Sequence, residues 1–150
     1  MKKRVDLPEK KYEGYIFDLD GTLVDSMPLH YRAWREALAR AGAPDHVFRA
    51  DEFYSCGGKS ANDVVRFLNE RYGMHMDAAS TAADKRRIYL EMLEKEGMQP
   101  IREVVEFVHS LGDAPKAIAT GSAMPGASRT LAAAGLSGLF DVILTPDEVE

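Results

Sequence analysis

The sequence predicts an α/β fold, a parallel sheet with a helical cap inserted after its first strand. Three observations predict it. A short apolar run, Gly14-Tyr15-Ile16-Phe17, ends in two aspartates two residues apart, Asp18 and Asp20. Strand-like and helix-like segments alternate from about residue 97 to residue 144, which is the pattern of βαβ units and a parallel sheet. Between them lies a block, 27–96, whose periodic segments all have helical spacing.

Each element has a local cause. Residues 1–11 are a charged start, expected to fray. The run at about 13–18 reads as a buried strand. Ser26 is placed to cap a helix with Pro28 in its first turn, and Gly42 stops it after Ala41. Ser60-Ala61-Asn62-Asp63 reads as a capping box. The helix behind it carries Val64, Leu68 and Tyr72 on one face and ends at Gly73. A third helix, about 77–96, sets Ile88, Tyr89, Met92 and Leu93 opposite a charged side, and Gly97 closes it. The βα pattern then resumes. A helix at about 101–111 is followed by Gly112, and Lys116-Ala117-Ile118-Ala119-Thr120 reads as the second strand. A helix at about 124–134, with Pro125 in its first turn, ends at Gly135, and Asp141-Val142-Ile143-Leu144 reads as the third strand. The predicted division is a core of 12–26 with 97–150, and a cap of 27–96.

Bulk properties narrow the function. Hydrophobic content of 45% with 29% charged residues is that of a soluble globular chain. A net charge of −5 gives no basic footprint for nucleic acid. No apolar run reaches the roughly 18 residues of a membrane span. The basic start, Met1-Lys2-Lys3-Arg4, lacks the apolar stretch of a secretory signal. A single cysteine, Cys56, excludes an internal disulfide and fits a reducing, cytoplasmic compartment.

The chemistry is concentrated in Asp18-Leu19-Asp20-Gly21-Thr22-Leu23-Val24-Asp25-Ser26. Alternation sends Asp18 and Asp20 to the same side of the strand end and Leu19 to the other. Gly21 permits a sharp turn directly behind them. Carboxylates at the C-terminal end of a strand in an α/β sheet sit where such sheets bind ligands. A lone D-x-D means little, but the full string D-x-D-G-T-L-x-D-S is specific. It resembles the first signature motif of the haloacid dehalogenase (HAD) superfamily. With Leu29-His30-Tyr31-Arg32-Ala33-Trp34-Arg35 behind it, the chain resembles the β-phosphoglucomutase-like and fructose-1-phosphatase-like sugar-phosphate enzymes of that superfamily.

The resemblance implies a HAD-like Rossmannoid sheet with an α-helical cap over the active site. It implies a Mg²⁺-dependent phosphatase of small phosphorylated sugars that works through an aspartyl-phosphate. Asp18 takes the nucleophile's place and Asp20 that of the general acid/base. Asp18, through its carboxylate, and Asp20, through its backbone carbonyl, take the places of metal ligands. Thr120-Gly121-Ser122, at the end of the second strand, matches the Ser/Thr motif that holds a phosphoryl oxygen, and Leu19 joins that phosphate site. Ser55–Ser60 resembles the cap's specificity loop, so Gly58 and Lys59, with His30 from the first cap helix, are placed toward the substrate. Gly58-Lys59-Ser60 is not a nucleotide P-loop, because that motif needs glycine where Phe53 stands and a strand before it. His30, His46, His75 and His109 show no metal-ligand spacing.

Two later family motifs, a lysine after the third strand and a further strand with paired acids, have no counterpart before Glu150. Asp147, Glu148 and Glu150 follow the wrong strand and read as a solvated loop. Lys116, at the start of the second strand, cannot reach its far end. The 150-residue chain is therefore expected to be impaired or inactive by itself, with its first strand an unpaired apolar edge and its sheet incomplete toward the C-terminus. Two alternatives stand beside this reading. One is a phosphomutase, disfavoured because Gly57, Ala61, Ala123 and Met124 replace its second set of phosphate contacts. The other is a non-catalytic remnant that binds phosphate or a partner.

Overall fold

Tyr15, Ile16 and Phe17 are the aromatic and β-branched types that suit an extended, pleated backbone. In the computed structural model, which describes residues 6–148, they form β1 (Tyr15–Phe17). The basic start Met1–Arg4 and the terminal Glu150 lie outside the described residues. Along the chain follow α1 (Met27–Arg40), α2 (Ala50–Ser55), α3 (Ala61–Tyr72), α4 (Ala78–Glu96), α5 (Arg102–Ser110), β2 (Lys116–Ala119), α6 (Met124–Ala133) and β3 (Val142–Leu144). The strands pair in parallel in the order β1-β2-β3. Among the described residues no helix is long and apolar enough to cross a membrane.

Register decides which side chains meet. Phe17, Ile118 and Ile143 stand in one row across the sheet, and Ile16, Ala117 and Val142 in the next. Neighbouring rows face opposite ways. The first row is the inner one. Phe17 and Ile118 are buried, and the rings of Phe107 and Phe140 lie edge-on to Phe17 at 6.3 and 5.9 Å. On the other face Ile16 is 75% exposed, with Val142 and Leu144 also exposed. The first strand is thus not buried on both sides as its composition predicts. A parallel sheet is dry only where helices cover both faces, and β1 is an edge.

The chain divides into two compact units. One holds the described residues up to Ser26 and from Gly97 onward, and the other is Met27–Glu96. In the second unit α4 packs against both α1 and α3. Its core gathers Trp34, Leu38, Val47, Phe48, Phe53, Val65 and Leu68. Phe48 is fully buried, with Trp34 and Phe53 edge-on to it, and it holds φ at +59°. That left-handed backbone is costly for a bulky residue and persists because the surrounding packing fixes the ring. Ser60 caps α3 through the Asp63 N–H at 3.1 Å, and Gly73, at φ +62°, ends it. The Asn69 side chain then pairs with both the N–H and the C=O of Met76, fixing the turn into α4.

Three local details add to these expectations. α2 was not foreseen, because six residues carry too little periodicity and Arg49 at its N-cap makes no side-chain cap. Ser26 turns its hydroxyl to Asp20. The stretch after β3 is exposed, as a solvated loop is, and is wound into a 3₁₀ turn, Pro146–Glu148. Glu148 folds back to accept from the N–H and the hydroxyl of Thr145 at 2.7 and 2.9 Å.

Candidate active site

The loop after β1 is built on its apolar residues. Leu19, Leu23 and Val24 are completely buried. The Leu19 carbonyl accepts from the N–H groups of Thr22, Leu23 and Val24, and Gly21 N–H donates to the Val24 carbonyl at 2.8 Å. Gly21 holds φ at +76°, where a Cβ would be strained. The far side of the loop is stitched to the return chain: Asp25 N–H donates to Gln99, and Ile101 N–H to Leu23. The two aspartates between these anchors therefore sit on a fixed backbone.

Asp18 stands exposed at the C-terminal end of β1. Its Oδ1 accepts from the Leu19 N–H at 2.8 Å. Desolvation against the protein lifts its carboxyl above the ordinary carboxylate value. The Leu19 N–H pulls it back, the nearby Asp20 charge pushes it further up, and the Thr22 hydroxyl lowers it. Asp20 is half-buried and held at both oxygens. Ser26 Oγ donates to Oδ1 at 2.6 Å, and Ser122 Oγ donates to Oδ2 at 2.7 Å. Ser122 also donates its N–H to Thr120 Oγ1 at 3.1 Å. Thr120 is buried, and its N–H joins the sheet ladder to Leu144. Gly121 is exposed between them. The N-terminus of α6 starts at Ala123 without a side-chain cap; Pro125 has no N–H, and the N–H groups of Gly126 and Ala127 donate to the Ala123 carbonyl, so its first turn offers an anion little beyond the Met124 N–H.

The core unit thus gathers Asp18, Leu19, Asp20, Thr120, Gly121 and Ser122 of the predicted residues. The other three lie in the helical unit. His30 is buried on α1, stacked on Tyr89 at 4.0 Å, with its Nδ1 2.8 Å from Lys85 Nζ. Gly58 takes φ +83° in the turn between α2 and α3. Lys59 is exposed, with Nζ 5.9 Å from the centre of the Phe67 ring. Lys116 Nζ bonds the carbonyls of Gly112 and Ala114, toward the start of its strand. Cys56 is buried, and desolvation raises its thiol pKa, which makes it a packing residue. Sequence reasoning missed the tie from Ser26 and Ser122 to Asp20. Ser26 closes the signature string, so its membership was visible, but its target depends on how the loop folds.

The oxygen donors of this site are hard ligands of the kind Mg²⁺ takes, and Mg²⁺ is often held by one or two carboxylates with waters and substrate phosphate completing its shell. Among the described residues no group of three or more His, Cys, Asp or Glu side chains could hold a metal ion. The Asp18 carboxylate and the Asp20 backbone carbonyl are donors of the right chemistry for Mg²⁺, and they do not by themselves make a complete ligand set.

The parallel sheet, the helical unit and the acidic loop behind the first strand together define a Rossmannoid α/β protein with HAD-like architecture. The sequence pattern of the haloacid dehalogenase-like hydrolases matches residues 15–150, and the chain belongs to that family. Fructose-1-phosphate phosphatase YqaB of Escherichia coli is 30% identical over 142 residues, which are 94% of this chain and 73% of that protein. Hexitol phosphatase A of the same organism is 32% identical over 142 residues, 92% of this chain and 61% of that protein. Among solved structures, a hydrolase from Pseudomonas syringae aligns with a TM-score of 0.77 at 26% identity, covering 91% of this chain and 63% of that one. CbbY from Rhodobacter sphaeroides shares the fold, with a TM-score of 0.75 at 22% identity over 91% of this chain and 64% of that one. The chain spans between 61% and 73% of the length of these relatives.

Proposed function

We propose that this chain carries the nucleophile and the acid/base of a Mg²⁺-dependent phosphatase of small phosphorylated sugars. The observation that carries the proposal is the pair of carboxylates on a fixed loop, Asp18 exposed and Asp20 held by hydroxyls, beside the Thr120 hydroxyl. Similarity to a fructose-1-phosphate phosphatase and a hexitol phosphatase supports the substrate class.

Phosphate monoesters are among the slowest esters to hydrolyse unaided, and a covalent route divides the barrier in two. An Asp18 oxygen attacks phosphorus, and the bond from phosphorus to the sugar oxygen breaks. Asp20 gives its proton to that oxygen, so the sugar leaves as an alcohol. Asp20 then takes a proton from water as the water oxygen attacks the aspartyl-phosphate, releasing phosphate and restoring the Asp18 carboxylate. The Thr120 hydroxyl accepts from Ser122 N–H and uses its own proton toward a phosphoryl oxygen. Mg²⁺, when bound by the Asp18 carboxylate and the Asp20 backbone carbonyl, would supply neutralisation of phosphoryl charge.

The 150-residue chain by itself is expected to turn over poorly or not at all, so the test is phosphate release from fructose 1-phosphate with Mg²⁺ by a form that also carries the lysine and acidic-strand motifs. Asp18→Asn is expected to lower it by on the order of 10⁴-fold or more, as for other lost nucleophiles, and to abolish hydroxylamine-labile phosphoenzyme. Wild-type release from that variant sinks the assignment. Isomerisation of a sugar 1-phosphate without phosphate release would instead make the protein a mutase, against the absence of further phosphate contacts at Ala123 and Met124.

A further inference from the structure

We infer that Ser26 and Ser122 are positioning residues that fix the plane of the Asp20 carboxyl group, and that Ser122 ties that plane to the phosphate-holding Thr120. The inference rests on the reading of Asp20 as acid/base. A carboxyl group held at one oxygen still swivels about its last two bonds. Held at both oxygens, from two directions, it does not. Here Ser26 Oγ meets Oδ1 at 2.6 Å and Ser122 Oγ meets Oδ2 at 2.7 Å, both in the short range of charge-assisted O–H···O bonds.

The two holders come from different parts of the unit. Ser26 is fully buried and closes the same loop that carries Asp20. Ser122 lies beyond the end of β2, 102 positions along the chain from Asp20. It uses its hydroxyl on Asp20 and its N–H on Thr120 Oγ1 at 3.1 Å. One residue thus sets the orientation of two groups that would act on opposite ends of the same bond, one on the leaving oxygen and one on the phosphoryl group. This revises the simplest expectation for Ser122, a direct phosphate ligand, because the side-chain proton that would serve phosphate already serves Asp20.

Leaving-group dependence tests this. A sugar alkoxide needs a proton to leave and a nitrophenolate does not, so only a group that serves Asp20 separates the two substrates. Ser26→Ala and Ser122→Ala are expected to lower kcat/KM for fructose 1-phosphate, which ends at phosphoryl transfer to Asp18 and leaves out the water step both substrates share, by about 10- to 100-fold, the size of a misplacement effect. The dissociation constant of inorganic phosphate should move less than about twofold, and kcat/KM for p-nitrophenyl phosphate less than about threefold. Ser26→Thr, which keeps the hydroxyl, should recover most of the loss. Equal losses on both substrates overturn the inference. So does a rise of about tenfold or more in the dissociation constant of inorganic phosphate for Ser122→Ala, which would make Ser122 a phosphate ligand.

Asp20→Asn is the control for the underlying reading. If it shows no leaving-group selectivity, the acid/base assignment fails; if it does while both serine variants do not, the positioning inference alone fails. A double-mutant cycle on unfolding of the metal-free chain reads the contacts without turnover. Asp20→Ala paired with either serine variant is expected to show coupling of about tenfold in the unfolding constant, as contacting pairs do. Additivity of both pairs overturns the inference.

Discussion

The two units of this molecule bury their apolar residues by different means. In the helical unit, short-range contacts close a core: α4 lies against α1 and α3, and Phe48, Val65 and Leu68 are sealed from solvent. In the sheet unit, Phe17 and Ile118 are sealed on one face while Ile16, Val142 and Leu144 stand in solvent on the other. Helices joined by short turns complete a core with their sequence neighbours. A three-stranded parallel sheet completes only the face its own helices reach. The acidic loop nevertheless belongs to the sheet unit, where it is anchored by Leu19, Leu23 and Val24 and not by the sheet face as a whole.

The sharpest break of this contrast is in the helical core. Phe48→Ala removes its largest sealed side chain but keeps the left-handed backbone at that position. A loss of about 3–5 kcal/mol is expected from the cavity, read by urea unfolding followed by circular dichroism. A loss under about 1 kcal/mol would show that the cluster is loosely packed.

A smaller effect of opposite sign is expected in the sheet unit. A carboxyl whose pKa is raised by folding favours the folded state while protonated and costs stability once ionised. Asp18 is such a group, desolvated and near Asp20. Metal-free Asp18→Asn should therefore melt above wild type at neutral pH, even as it loses turnover. The gap should close as pH falls through the ordinary carboxylate range, below which the carboxyl is protonated in the folded and the unfolded chain alike. Lower melting than wild type across that range would show that the Asp18 charge is stabilising.

The smallest effect is expected at Ile16. Ile16→Thr keeps the β-branch on a side chain that is 75% exposed, so stability should stay within about 0.5 kcal/mol. Self-association by sedimentation should fall, because an exposed apolar edge strand is a template for pairing. Destabilisation of about 2 kcal/mol or more would show that something covers that face.

What could be read from the sequence follows the range of the forces involved. The helix ends at Gly42, Gly73, Gly97, Gly112 and Gly135 were legible because each needs a positive φ at one residue. The acidic loop was legible because its chemistry and its turn lie within nine consecutive residues. The exposure of Ile16 was not, since an apolar run does not say how many faces will be covered. The Ser26 bond to Asp20 was not legible either, because a capping rule says what a hydroxyl accepts and not where the folded loop sends its hydrogen. The stacking of His30 on Tyr89 beside Lys85 joins residues far apart on different helices, and no spacing rule reaches that distance.

The choice of serine on both sides of Asp20 has a consequence for the cost of moving a proton. A backbone N–H or an arginine only donates, so it would suit one charge state of a carboxyl group and oppose the other. A hydroxyl has one hydrogen and two lone pairs. By rotating about its C–O bond, Ser26 or Ser122 gives a hydrogen to the ionised group and receives one from the neutral group without any heavy atom shifting. On the role proposed for Asp20, an acid that must become a base within a single turnover would be spared the reorganisation of its surroundings, and the same two side chains would serve both halves of the cycle.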